Sequence, residues 1–519
     1  MIAGCGQNDE PAPTRPAASP RHGGKLVYGV EFDANTWSPF VDRWLQSGLI
    51  VAQAFYEPLA TFDQAGAVVP YLAESITGSD GWRRWTIRLR PDITFHDGLP
   101  LDATAVKANF DKHGAGTDSN FSPLFGVAAV DIADDRTVIV RTHEPWASFP
   151  VHLTGQLGNQ AGYMASPKMI AADDPHALPV GTGPFVADEW RRDNHISGKR
   201  NTTYWRTGLP YLDAIEFRFD ANDDTRAAAL ERGDIDVLAA AGGRVAGSRV
   251  GRAGVTVTRQ NSDPLQRMIV LNTAVAPLDD IRVRRALWAA LDCDRLVAEV
   301  GDEGARASDS PFPVDSPWYR PPTAGGHAPE TARALLAERA ASGGQPVAIE
   351  LVGWSSPDVV RLQQLIAEQW RAVGIDVTLT TEEQRAVPVR IAVGRYQAAI
   401  FQKFAGHDPD TFTPFFLGAA INPVGAPSLN LARFADPAID AAVREGRATP
   451  DEAQRRASAA TVQERLTEAR PMLWLYDEPA ATVQSSRVRG IGEGALPDGA
   501  AAMPYVSGHH GFTHVWLDG

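Results

Sequence analysis

Three histidines near the end of the chain, His509, His510 and His514, are the densest set of metal-ligand side chains in the sequence. On a helix such spacing could gather imidazoles on one face, as a zinc site needs. Gly508 and Gly511 flank them, however, and the alternation of Phe512, His514 and Trp516 predicts a strand that separates the rings. No metal site is expected. The adjacent acids Asp173-Asp174, Asp223-Asp224 and Asp279-Asp280 read as turn or cap residues. Carboxyls that work on a glycosidic bond face each other across it. Gly181-Thr182-Gly183 lacks the Lys-Ser/Thr that completes a phosphate-cradling loop. No G-x-S-x-G, HExxH or CxxC pattern occurs. The side-chain chemistry points to binding without turnover, so neither an enzyme nor a cofactor is expected.

The elements that must position a binding site are legible as periodicities. Lys25 to Val30 is a short apolar strand, and a helix runs through Ile50, Ala54 and Phe55 into Glu57-Pro58-Leu59. Trp85, Ile87 and Leu89 alternate with Thr86 and Arg88, the period of a half-buried strand. Asp97-Gly98 is a turn pair, and Asp102 or Thr104 can cap the helix that follows. Residues 62–169 read as short strands and one helix. Gly181 to Phe185 reads as a turn into a strand. Arg226 to Val237 is a helix closed by Gly233 and followed by a strand. Val283, Leu287, Ala290, Leu291 and Val297 form one helical stripe, with Cys293 as a buried thiol beside it. Val347 to Val352, a helix from Val359 to Val373 ending at Gly374, and Ile375 to Leu379 make a strand–helix–strand unit. Its strands should be parallel.

With 519 residues the chain is too long for one core, and two or three domains are expected. Its net charge of −14 argues against nucleic acid and anionic membrane surfaces as partners. No apolar run of membrane-spanning length is present. Ile2-Ala3-Gly4-Cys5 resembles a bacterial lipobox, which would make Cys5 the lipidated residue. Gln7 to Gly24 is rich in Pro, Ala and Ser and would serve as a tether. The expectation is an exported cell-envelope lipoprotein on the outer face of the cytoplasmic membrane, held there only by its lipid.

The run from Trp85 through Leu89-Arg90, Phe95-His96-Asp97-Gly98, Pro100 and Ala103 to Val106 resembles the signature of the bacterial extracellular solute-binding proteins, family 5, of peptide/nickel type. Further matches are Gly181 to Phe185, Asn201 to Trp205, and Leu271-Asn272-Thr273 followed by Pro277 to Leu287. The resemblance covers residues 24–519. It implies an α/β, two-lobed periplasmic-binding-protein-like fold (type II, cluster C) with an inserted subdomain. Residues 1–24 would be the tether. Residues 25–61, 170–267 and 485–519 would form the first lobe, 62–169 its insertion, and 268–484 the second lobe. The implied activity is capture of oligopeptides in the interlobe cleft by hinge closure. The partners would be the permease and ATPase subunits of an ABC importer, with the binding protein itself a monomer.

The resemblance also marks the cleft. Asp408, Pro409, Asp410 and Phe412 keep the family's D-P-D-x-F, whereas Ala405 stands where peptide binders place an amine-binding aspartate. The loop Gly353 to Asp358 lacks the arginine that dipeptide binders use for the carboxylate. Both departures admit a non-peptide solute, such as a metal chelate or haem, or a regulatory protein of the same fold. Asp408 or Asp410 could take over the amine, or cap the next helix. The candidate contacts are Arg43, Trp44, Leu45 and Gln46 in one lobe. In the other they are Trp354, Ser355, Gln402, Phe404, Ala405, Gly406, His407 and Asp408.

Overall fold

Two long strands, Val255–Leu271 and Met472–Ser485, run antiparallel through the middle of the molecule and hold its two lobes together. In this computed structural model the described residues are 19–41, 44–114, 124–156, 160–240, 254–301, 304–321, 326–404, 406–508 and 510–518. Cys5, Arg43, Ala405 and His509 lie outside them. On one side the crossing pair continues through Val237–Ala240, Lys25–Val30, Ala214–Phe219, His195–Arg200 and Phe185–Arg191. On the other it continues through Ala398–Phe404, Ala348–Trp354 and Asp376–Glu382.

The ladder between the crossing strands slips register between Gln260 and Leu265, and Pro264 lies within the slip. Its neighbour strand carries Pro479 at the same level, next to Glu478, the partner of Leu265. Proline donates no ladder hydrogen bond, which confines it in sheets to edges and bulges. The weakest part of this ladder therefore lies where the chain passes from one lobe to the other.

Most predicted elements are present. Arg84–Leu89 buries Trp85, Ile87 and Leu89 on one face. Asp102 caps the helix Ala103–Lys112, accepting from the Ala105 N–H at 2.8 Å. The helix Asp223–Arg232 ends at Gly233 with φ +78°. Ala348–Trp354 and Asp376–Glu382 pair in parallel across the helix Pro357–Ala372. Residues 62–169 contain a four-stranded antiparallel sheet with its own apolar core, which includes Trp85, Phe95, Phe110 and Phe149.

Two expectations are corrected. The stripe from Val283 to Val297 is not one helix but two, Ile281–Ala289 and Cys293–Val300. Asp292 breaks it by accepting from the Arg295 N–H at 2.9 Å, a cap that competes with helix continuation. Near the end of the chain only Trp516–Leu517 is strand, and a turn closes Phe512 to Val515 through the Val515 N–H.

The signature segments meet each other. His96 accepts or donates at the Gly183 carbonyl (3.0 Å), and its N–H donates to the Gly181 carbonyl at 2.9 Å. Gly183 lies against the end of the helix Gln46–Phe55, and a Cβ there would come within 2.5 Å of the Phe55 carbonyl carbon. Glu57 closes the knot by accepting from Thr182 (2.9 Å), Trp205 Nε1 (2.9 Å) and the Tyr204 hydroxyl. Burial raises the Glu57 carboxyl above its ordinary value despite these donors. Glu57→Ala leaves all three donors without this acceptor and is expected to cost about 2–3 kcal/mol, read from urea unfolding. These family-like residues thus hold the first lobe together rather than touching solute.

Candidate functional site

A cavity of about 250 Å³ opens between the lobes. One wall is the segment 32–48, which leaves the strand Lys25–Val30 and enters the helix Gln46–Phe55. The other is the short helix Ala386–Ala392 with Gln384 and Arg385 before it. Ser47 shapes the first wall, because its hydroxyl accepts from the Glu31 and Phe32 N–H groups at 3.2 and 3.4 Å. Val41 and Val389, one on each wall, are 65% and 61% exposed. Large apolar side chains left so open on opposing walls fit an apolar part of a solute.

The mouth carries a clasp. Arg385 of the second wall donates to Asp193 at 3.0 Å, in the turn after Phe185–Arg191. Asp33 anchors that turn from the first wall, accepting from the Asp193 N–H at 2.9 Å and from Trp190 Nε1 at 3.0 Å. The clasp is exposed, so its net contribution is at most about 1 kcal/mol. It suits a closure that must also open.

Behind the cavity a second group of side chains gathers at the crossing strands. Arg267, on Val255–Leu271, is 2% exposed and lies 5.5 Å over the Trp354 ring. It donates to Gln402 Oε1 at 2.6 Å and faces Glu478 at 3.4 Å and Asp358 at 3.6 Å. Its Nε meets no acceptor. The loop at Trp354 lacks an arginine, yet a guanidinium stands over that tryptophan, supplied from a different strand.

The sequence-predicted residues fall into three places. Trp44 and Leu45 line the cavity, with Trp44 itself buried against Tyr56 and donating from Nε1 to the Thr36 carbonyl at 2.9 Å. Gln46 reaches toward the Gly508 carbonyl at 3.4 Å. Trp354 and Gln402 surround Arg267, while Ser355 is exposed and its N–H donates to the Glu382 carbonyl at 3.1 Å.

Phe404, Gly406, His407 and Asp408 form a separate junction. Phe404 is buried in the first lobe's core. Asp263 accepts from the N–H groups of Gly406 and Ser507, both at 2.7 Å, and lies 3.7 Å from His407 Nε2. Asp408 caps the 3-10 helix Pro409–Phe415 through the Asp410 N–H and pairs with Arg455 at 2.6 Å. Asp410 is spent differently, on Trp146, Ser148, His152 and Arg447.

His510 is buried beside Tyr28 and Phe512, and burial pushes it down to about 4. Among the described residues no group of three or more His, Cys, Asp or Glu side chains is placed to hold a metal ion. No helix among them is long and apolar enough to cross a membrane. Sequence reasoning missed Arg267, Arg385, Val389 and Glu31. A lone arginine in the apolar run Leu265 to Leu271 was the one available signal for the first.

Comparison with known proteins agrees with this architecture. The chain is 27% identical over 460 residues to the glutathione-binding protein GsiB of Pectobacterium atrosepticum, covering 85% of this chain and 86% of that one. Its fold matches that of the periplasmic binding protein DppA from Helicobacter pylori in complex with the peptide STSA. There the TM-score is 0.82 at 21% identity, over 96% of this chain and 99% of that one. NikZ from Campylobacter jejuni in complex with Ni(L-His) matches with a TM-score of 0.78 at 19% identity, over 94% and 97% of the two chains. The family described as bacterial extracellular solute-binding proteins, family 5 (middle), matches residues 67–423. This chain therefore belongs to the bacterial extracellular solute-binding proteins of family 5, the substrate-binding components of ABC importers.

Proposed function

We propose that this protein captures a short, peptide-like solute between the segment 32–48 and the helix Ala386–Ala392, and delivers it as a monomer to the permease of an ABC importer. The observation that carries the reading is the cavity whose walls come from different lobes and present Val41 and Val389 to each other. At about 250 Å³ it lies below the usual range of small-molecule clefts, roughly 300–1,000 Å³, which favours two or three residues over a long oligopeptide. The paired prolines Pro264 and Pro479 supply a hinge at which the lobes swing, and the Arg385–Asp193 clasp closes the mouth. A glutathione-binding protein among the relatives supports a solute of this size.

Titration calorimetry with glutathione and a mixed tripeptide pool tests the reading. One-to-one binding with a negative heat-capacity change is expected. A second reading, a metal chelate, rests on Ala405 and the arginine-free loop Gly353 to Asp358. Binding of nickel-histidine with no response to either peptide probe would favour it and overturn the first.

Attachment to the membrane belongs to the same proposal: Cys5 carries the lipid, and residues up to Gly24 form the tether. Palmitate labelling of the protein made from its natural gene should disappear in Cys5→Ala. Labelling that survives the substitution would remove Cys5 from this role.

A further inference from the structure

A solute with a free amine needs a negative partner once the lobes have shut water out, and position 405 has only alanine to offer. Glu31 is the carboxyl at the lobe junction that is left over. It follows the strand Lys25–Val30 directly and precedes Phe32 of the cavity wall, with its backbone held by Ser47. Its side chain is half-buried and forms no hydrogen bond or ion pair with any described residue.

The charged groups around it are Asp223 and Arg226 on the helix Asp223–Arg232, Asp358 on the helix Pro357–Ala372, and Arg267 and Glu478 on the crossing strands. Arg226 pairs with Asp223, and Arg267 faces Asp358 and Glu478. Glu31, Asp223, Asp358 and Glu478 thus stand against only Arg226 and Arg267. What this cluster lacks is a cation. A second feature shows an unmet polar group at the same place: Arg267, almost wholly buried, has an Nε with no acceptor.

We propose that Glu31 receives the ammonium group of the captured solute, in place of the acid that position 405 lacks. The proposal rests on the reading that this protein captures peptide-like solutes. Burial raises the free Glu31 carboxyl to about 8, so near pH 7 it holds its proton. An arriving ammonium makes the carboxylate the better form, and the displaced proton leaves to solvent. Affinity should therefore rise as pH climbs from 6 toward 8. Without solute, Glu31→Gln replaces a neutral group by a neutral group of the same shape, and the fold should be undisturbed.

The test compares wild type and Glu31→Gln against a mixed tripeptide pool and its N-acetylated counterpart, by native mass spectrometry. Calorimetry of the free-amine pool in two buffers of different ionisation enthalpy counts the released protons. Wild type is expected to lose at least tenfold in apparent affinity on N-acetylation, and Glu31→Gln to lose at least tenfold for the free-amine pool with an unchanged Tm. Proton release should be seen in wild type only. Equal binding of the two pools by wild type, or wild-type affinity in Glu31→Gln, would overturn the role of Glu31 and leave solute capture intact. Failure of wild type to bind either pool would overturn the peptide-like reading and this assignment with it.

Discussion

Asp410→Ala is expected to destabilise the protein by about 3–5 kcal/mol, the scale seen when a buried ion pair loses one partner. The carboxylate is 4% exposed and joins two parts of the molecule that are far apart in sequence. From the 62–169 region it accepts from Trp146 Nε1 (2.6 Å), Ser148 Oγ (2.7 Å) and His152 Nε2 (3.3 Å). From the second lobe it accepts from Arg447 Nε at 2.7 Å, and that guanidinium lies 4.3 Å over the Trp146 ring.

Burial alone would push the Asp410 carboxyl up. Arg447 and His152 outweigh it and hold the group well below the usual carboxylate range. A depressed value in the folded state adds stability at pH above the unfolded value of about 3.9, which is lost as pH falls through the folded value. Wild type should therefore show a steep loss of stability below about pH 4, and Asp410→Ala a shallower one from a lower starting point. Urea unfolding at pH 7 and pH 3.5 measures both. A loss below about 1 kcal/mol at pH 7 would mean that this network is not what ties these parts together.

Val389→Trp is expected to weaken solute binding by at least about 100-fold, or roughly 2.7 kcal/mol, without unfolding the protein. Val389 is 61% exposed on the cavity wall, so the larger ring enters space that the cavity now offers. Surface substitutions outside caps, cores and networks usually change stability by no more than about 0.5 kcal/mol, so Tm should hold. Val389→Ala should be much milder, costing about 1 kcal/mol of binding through lost apolar contact. Calorimetry with glutathione and the tripeptide pool reads both variants. Wild-type affinity in Val389→Trp would move the solute site away from this cavity.

The fold was legible wherever a local signal agreed with the tertiary structure. Trp85, Ile87 and Leu89 alternate because only one face of their strand is buried, and Gly233 and Gly374 end helices in left-handed conformations. Asp292 shows where such reading stops: its cap splits a continuous apolar stripe, and spacing alone cannot reveal a competing hydrogen bond. The site was legible on one wall only. Trp44 and Leu45 lie beside a recognisable helix, whereas the opposing helix Ala386–Ala392 is short and contains Pro388, which reads as a helix breaker.

Arg267 and Glu31 were hidden for another reason. Each is an isolated charge at or next to an apolar strand, and its meaning depends on neighbours tens to hundreds of residues away. The D-P-D acids illustrate the converse. Their spacing suggested a ligand or a cap, and the structure uses Asp408 as the cap and Asp410 as a bridge between distant segments.

The central claim is that two lobes hinge at Pro264 and Pro479 and shut on a small solute. Small-angle scattering of the purified protein, with and without glutathione and the tripeptide pool, tests it most directly. Bound solute should reduce the radius of gyration, and the compact form should match the present structure with its Arg385–Asp193 clasp. Scattering curves that stay superimposable while calorimetry reports saturation would contradict it.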